Sequence, residues 1–198
     1  HILQALNAYR VEAIVRVPDH GRHMIEACLD FGAAGILAPK VDDEAEARAI
    51  ADACRYPPDG TRSVNCIRAS SYYTNAGPYI RGANRRVLCL VQIESAAGVS
   101  NSGAIASVPG VEGLFVGPGD LAASYGQIGV VSGARMAAAR QAVAAACTAH
   151  GKIPGIFAHD AASARLYASE GFRMIAVGND VKFLADGMAS ALRAAAAP

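Results

Sequence analysis

Six short apolar runs rich in β-branched residues alternate with segments of helical periodicity along this 198-residue chain. The runs are Val11 to Val17, Gly35 to Ala38, Val87 to Ile93, Val111 to Val116, Ile153 to Phe157 and Met174 to Val177. The helical segments that follow them are Gly21 to Phe31, Asp42 or Asp43 to Ala53, Ser95 to Ser107, Ser132 to Gly151, Asp160 to Glu170, and Asn179 to about Ala195. Alternation of this kind predicts a parallel α/β sheet. Two architectures satisfy it, an open doubly wound sheet and a closed barrel. A dinucleotide-binding sheet calls for Gly-x-Gly-x-x-Gly after an early strand. Neither early turn has it, and Gly117-Pro118-Gly119 lacks the third glycine. A complete barrel needs eight units and typically ~250 residues. The chain opens on His1 without an initiator Met, in a stretch to Tyr9 that reads as a helix already under way. The expectation is one domain over residues 1–198, a (β/α)8 TIM-barrel type lacking its first strand–helix units.

Bulk properties narrow the function classes. Apolar residues make up 53% of the chain, enough for a real core, and the formal net charge is +1. That balance carries no nucleic-acid footprint. No apolar run approaches the ~18 residues of a membrane span, and no signal peptide is visible. The five cysteines are scattered without a Cys-x-x-Cys pair. Reduced thiols in a cytoplasmic protein account for them most simply.

Two strand-like runs end in acidic residues, Val91-Gln92-Ile93-Glu94 and Phe115-Val116-Gly117-Pro118-Gly119-Asp120. In a barrel both carboxylates emerge at the carboxyl-terminal face, where such folds build active sites. Paired carboxylates suit a hard divalent cation such as Mg²⁺, but the same residues can cap the following helices. Spacing leaves both readings open. The Gly-Pro-Gly run allows close approach of backbone to a ligand.

Five segments in order carry a resemblance: Val15-Arg16-Val17-Pro18, Leu29-Asp30 with the Phe-Gly-Ala-Ala-Gly after it, Arg55-Tyr56-Pro57-Pro58-Asp59-Gly60-Thr61-Arg62, Val91 to Glu94, and Phe115 to Asp120. Together they resemble the HpcH/HpaI aldolase and citrate lyase family over nearly the whole chain. Within it the chain looks close to the class II 2-keto-3-deoxy acid aldolases and is also similar to macrophomate synthase, which likewise has glycine before the aspartate. The resemblance implies a divalent metal, Mg²⁺ foremost with Mn²⁺ or Co²⁺ as substitutes, held by Glu94 and Asp120. It implies a pyruvate enolate stabilised by that charge and by Arg16, whose bland alternative is an ion pair with a neighbouring carboxylate. Gln92, Ser124 and the backbone N–H groups of Gly119 and Asp120 are the further substrate-binding candidates. Asp30 matches an aspartate that supports a catalytic histidine, and that histidine belongs well upstream of Arg16. His1 does not align with it, and His20, His23, His150 and His159 match no catalytic position.

The implied reaction splits a 2-keto-4-hydroxy acid into pyruvate and an aldehyde. Oxaloacetate decarboxylation with C–C bond formation and a truncated, noncatalytic homologue are the alternatives. A homo-oligomer, hexamer or trimer of dimers, with the last helix packing on a neighbour, is implied as well. Residues 55–86 break the rhythm with three tyrosines beyond Tyr56 and the arginines Arg62, Arg68, Arg81, Arg85 and Arg86. They read either as a surface excursion with a short helix near Pro78 to Ala83, or as a lid or subunit contact presenting Arg62 or Arg68 to an anionic substrate.

Overall fold

A computed structural model describes residues 1–6 and 8–196; Asn7, within the predicted opening helix, lies outside them. The elements run α1 (Ile2–Leu6), β1 (Ile14–Arg16), α2 (Arg22–Asp30), β2 (Gly35–Ala38), α3 (Glu44–Cys54), α4 (Ala76–Arg86), β3 (Leu88–Ile93), α5 (Ala96–Ser100), α6 (Ser102–Ser107), β4 (Gly113–Val116), α7 (Pro118–Ser124), α8 (Ala134–Ala149), β5 (Ile153–Ala158), α9 (Ala161–Ser169), β6 (Met174–Val177) and α10 (Asp180–Ala196). All six strands are parallel and their order is sequential, β1 to β6. A doubly wound sheet reverses its order at a switch point, and this one does not. Right-handed crossovers stepping always in one direction put every helix on one face. The sheet therefore curls as a half-barrel of the (β/α)8 type, with β1 and β6 each paired on one side only.

Strand residues alternate between the two faces. Ile36 and Ala38, Cys89, Val91 and Ile93, Leu114 and Val116, Ile156 and Ala158 join one core with Ile25, Leu29, Ile50, Ile105, Val143 and Cys147 from the helices. Each fully covered aliphatic side chain there contributes about 2 kcal/mol. The opposite phase carries Leu90 and Gln92, and one step on Glu94, to the inner face, where Gln92 is in register with Phe115.

Local chemistry explains the helix starts. Asp43 accepts from the Glu46 N–H, and Asp160 forms a reciprocal capping box with Ser163. The single helix expected over 95–107 is two, broken at Asn101, whose side chain donates to the Asp42 carbonyl. The glycine-rich stretch after β4 holds α7: Pro118 takes the first position, where its missing N–H costs nothing.

The arginine-rich excursion differs most from expectation. Arg62 is 2% exposed, donates to Asp30 Oδ1 at 2.5 Å, and stacks on Tyr56 at 4.5 Å. It fastens the excursion to α2 and presents nothing to a ligand, so the lid reading fails for this residue. The expected short helix is the eleven-residue α4. A cavity of about 1220 Å³ flanks the open side of β1, lined by Val15, Arg16, Ala27, Asp30, Arg68 and Tyr72 among others. α10 buries none of its residues and turns Val181, Leu184, Met188 and Leu192 outward. No described helix is long and apolar enough to cross a membrane.

The thiols follow the packing. Cys54, Cys66, Cys89 and Cys147 are buried and Cys28 is half-buried. Burial pushes Cys147 up to about 11 and raises Cys28 as well. Thiolate is the reactive form, so thiol titration of the folded protein at pH 8 is expected to modify Cys28 at most. Unfolding in urea is expected to expose all five.

Candidate metal and oxyacid site

Glu94 follows the last residue of β3 and Asp120 sits in the first turn of α7, just beyond β4. Parallel pairing of β3 with β4 brings both to the carboxyl-terminal face. Neither is an N-cap: Ser95 caps α5 by accepting from the Gly98 N–H, and the N-cap of α7 is Gly117. The capping alternative therefore falls for Glu94, and Asp120 lies past the cap position.

Glu94 is 2% exposed. Its Oε1 accepts from the Lys40 N–H at 2.9 Å and lies 3.7 Å from Arg16 Nη2. Its Oε2 is buried without a hydrogen-bond partner. Burial raises the Glu94 carboxyl, the Lys40 N–H draws it down, the Asp120 charge raises it and Arg16 lowers it; the net direction is upward. A buried carboxylate oxygen with no donor, beside a second carboxylate, is a costly arrangement. A divalent cation removes that cost by supplying positive charge to both. The donor set, a buried carboxylate beside the solvent-exposed Asp120, is the kind Mg²⁺ accepts. The residues fit the metal that the resemblance implies. Among the described residues no cluster of three or more His, Cys, Asp or Glu side chains forms an all-protein cage.

Arg16 ends β1 and donates from Nε to Gln92 Oε1 at 2.9 Å. Because Arg only donates, this bond fixes the Gln92 amide with its Nε2 pointing elsewhere, and that nitrogen faces Gly117. The Arg16 side chain stays 51% exposed, with the rest of its guanidinium open to a ligand. Gly117 has φ −99°, which any residue adopts. What it supplies is space: a Cβ there would meet Gln92 Nε2 at 2.5 Å and Glu94 Oε2 at 2.6 Å. So the first glycine of the Gly-Pro-Gly run makes room for side chains of β3 rather than for a ligand directly. Gly119 faces open space, with nothing within 4 Å of its would-be Cβ. Ser124 Oγ accepts from the Ala96 N–H at 2.8 Å and so ties α7 to α5.

Asp30 lies elsewhere. It ends α2, beside the start of β2, at the amino-terminal ends of the strands. A single chain does not bring it to the Glu94–Asp120 face. Sequence reasoning missed two contributors that act through backbone, the Lys40 N–H and the shape of Gly117. The only sequence signal for either was their position immediately after a strand.

The model of the HpcH/HpaI aldolase/citrate lyase family matches residues 1–187. The chain belongs to that family. Among its relatives, the hydroxypyruvate/pyruvate aldolase of Deinococcus radiodurans is 41% identical over 184 residues, covering 92% of this chain and 66% of the relative. The 5-keto-4-deoxy-D-glucarate aldolase of an Enterobacter species is 38% identical over 179 residues, covering 90% of this chain and 70% of that protein. The chain thus spans about two thirds of the length of the curated relatives it matches. Among solved structures, an HpcH/HpaI family protein from Burkholderia cenocepacia superposes with a TM-score of 0.93 at 37% identity, over 98% of this chain and 78% of that one. Macrophomate synthase superposes with a TM-score of 0.81 at 31% identity, over 98% and 69%.

Proposed function

We propose that this family member serves a divalent-metal-dependent carbon–carbon lyase that works through a pyruvate enolate. The observation that carries the reading is the buried, unpartnered Oε2 of Glu94 beside Asp120, with the Arg16 guanidinium on the same rim. Glu94 and Asp120 would hold the metal, Mg²⁺ by preference, and its charge would polarise the keto and carboxylate oxygens of the substrate. Arg16 is anchored by Gln92 and offers its remaining N–H groups to the keto oxygen, where negative charge develops as the bond breaks. The amides of Gly119 and Asp120 open the first turn of α7 without intrahelical acceptors and are free to take the substrate carboxylate. In the cleavage direction the 4-hydroxyl proton passes to solvent water, the O–H pair forms the aldehyde C=O, the C3–C4 pair becomes the C2=C3 bond as the keto oxygen takes the negative charge, and the aldehyde leaves. Protonation at C3 then gives pyruvate.

Aldolase relatives favour a 2-keto-4-hydroxy acid as substrate, with pyruvate and an aldehyde as products. Gly119, which sets no side chain beside the site, leans toward the second reading, oxaloacetate decarboxylation with C–C bond formation. The exposed apolar side chains of α10 suit a homo-oligomer that covers them.

The test uses oxaloacetate, whose decarboxylation yields the enolate without a base. With Mn²⁺, pyruvate formation above the rate of the metal alone is expected. EDTA should abolish it, and Glu94→Gln should lower it at least a hundredfold, since a ligand and the charge balance are both lost. Cleavage of 2-keto-4-hydroxy acids by the same preparation separates aldolase from decarboxylase. Absence of Mn²⁺ binding, or equal rates in wild type and Glu94→Gln, would leave a noncatalytic relative.

A further inference from the structure

We infer that His20 is a positioning residue for Glu94, acting through the peptide between Pro39 and Lys40. The inference rests on the metal site proposed above. His20 lies four residues past Arg16, in the segment joining β1 to α2. Its Nε2 contacts the Pro39 carbonyl oxygen. A carbonyl only accepts, so Nε2 carries the hydrogen and the ring tautomer is fixed by its partner. Pro39 is buried, and a buried carbonyl needs such a donor.

The other end of that peptide is the Lys40 N–H, which donates to Glu94 Oε1 at 2.9 Å. A trans peptide points its C=O and N–H in opposite directions. His20 on one side and Glu94 on the other therefore hold one rigid plate between them. Lys40 occupies the left-handed region, with φ 49°. A lysine is not at ease there, so the plate needs restraint to stay turned toward Glu94. Pairing with β3 is regained one residue later, where the Val41 N–H donates to the Gln92 carbonyl. Those two bonds hold the N–H side of the plate, and the His20 contact holds the carbonyl side. Glu94 is then held through Oε1 with Oε2 presented bare, the arrangement a cation needs.

Three variants of the intact protein test this: His20→Phe keeps the ring without a donor, His20→Asn is too short to reach, and His20→Gln restores an N–H at similar reach. The readouts are the Lys40 amide resonance, recorded without metal, and Mn²⁺ affinity by electron paramagnetic resonance. Phe and Asn should move the Lys40 amide upfield, speed its hydrogen exchange, and weaken Mn²⁺ binding roughly tenfold. Gln should return both toward wild type. An unmoved Lys40 amide in the Phe or Asn variant overturns the inference, as does a Gln variant that behaves like them. If Phe does not fold, the Asn and Gln pair decides. If the wild type binds no Mn²⁺, the metal reading falls, while the Lys40 amide still decides the role of His20.

Discussion

Gly117→Ala is expected to leave the fold standing and to lower divalent-metal affinity about a hundredfold. The backbone at 117 tolerates alanine, because φ −99° lies in the ordinary region. The closest conflicts are with side-chain ends, 2.5 Å from Gln92 Nε2 and 2.6 Å from Glu94 Oε2, with Glu94 Cβ a tight 3.0 Å behind them. Both can retreat, so thermal unfolding should shift little. Neither can retreat without loss. Gln92 is anchored by Arg16 Nε, and Glu94 by the Lys40 N–H. Moving the first releases the guanidinium that the proposed enolate would need, and moving the second takes Oε2 away from Asp120. A displacement near 1 Å at such a centre typically costs ~10²-fold in rate. Calorimetric Mn²⁺ titration beside a melting curve separates the outcomes. Unchanged metal binding would mean that Gly117 is only a turn residue; loss of binding together with collapse of the fold would mean a structural glycine.

How far the sequence reached follows the range of each interaction. β2 and β6 have the bounds that their apolar runs predict, because a strand buried on its sheet declares itself over four residues. Asp43 and Asp160 mark their helices because capping is local chemistry. Glu94 and Asp120 were legible as a pair on one face because one directly follows a strand and the other lies four residues past the next strand, and parallel topology does the rest. What stayed hidden depends on partners far along the chain. Lys40 and Glu94 are 54 residues apart, and nothing in either segment announces that a backbone N–H meets a carboxylate. α7 was absent from the helices that periodicity predicts for a local reason: glycine and proline flank its start, yet Pro118 at the first helical position begins the turn. Arg62 misled because arginine is rarely buried, and its partner sits 32 residues upstream in another element.

That pair sets the largest expected effect on stability, and its asymmetry is diagnostic. Asp30→Asn leaves a guanidinium that is 2% exposed without its counter-charge, and arginine cannot discharge. The expected loss is about 3 kcal/mol; because wild-type Asp30 titrates and the Asn side chain does not, the deficit relative to wild type narrows as pH rises through that titration. Arg62→Met keeps the apolar stem over Tyr56 and strands a carboxylate instead, one whose side chain is 22% exposed. The loss at pH 7 should be smaller, about 2 kcal/mol, because Asp30 has an escape. Burial already raises its carboxyl above the usual range against the pull of Arg62. Removing Arg62 raises it further. A folded-state pKa above the unfolded value means that the folded form binds the proton more tightly, so the group weakens the fold as pH rises through that pKa. The deficit of Arg62→Met relative to wild type should therefore open as pH rises through the Asp30 titration and close below it. Urea unfolding of both variants from pH 4 to 8 checks the two curves. If the Asp30→Asn deficit were the smaller, or if Arg62→Met lost stability equally at every pH, the clamp would be packing rather than charge. In either case the excursion after α3 would owe its place to Tyr56 and Tyr79 rather than to the ion pair.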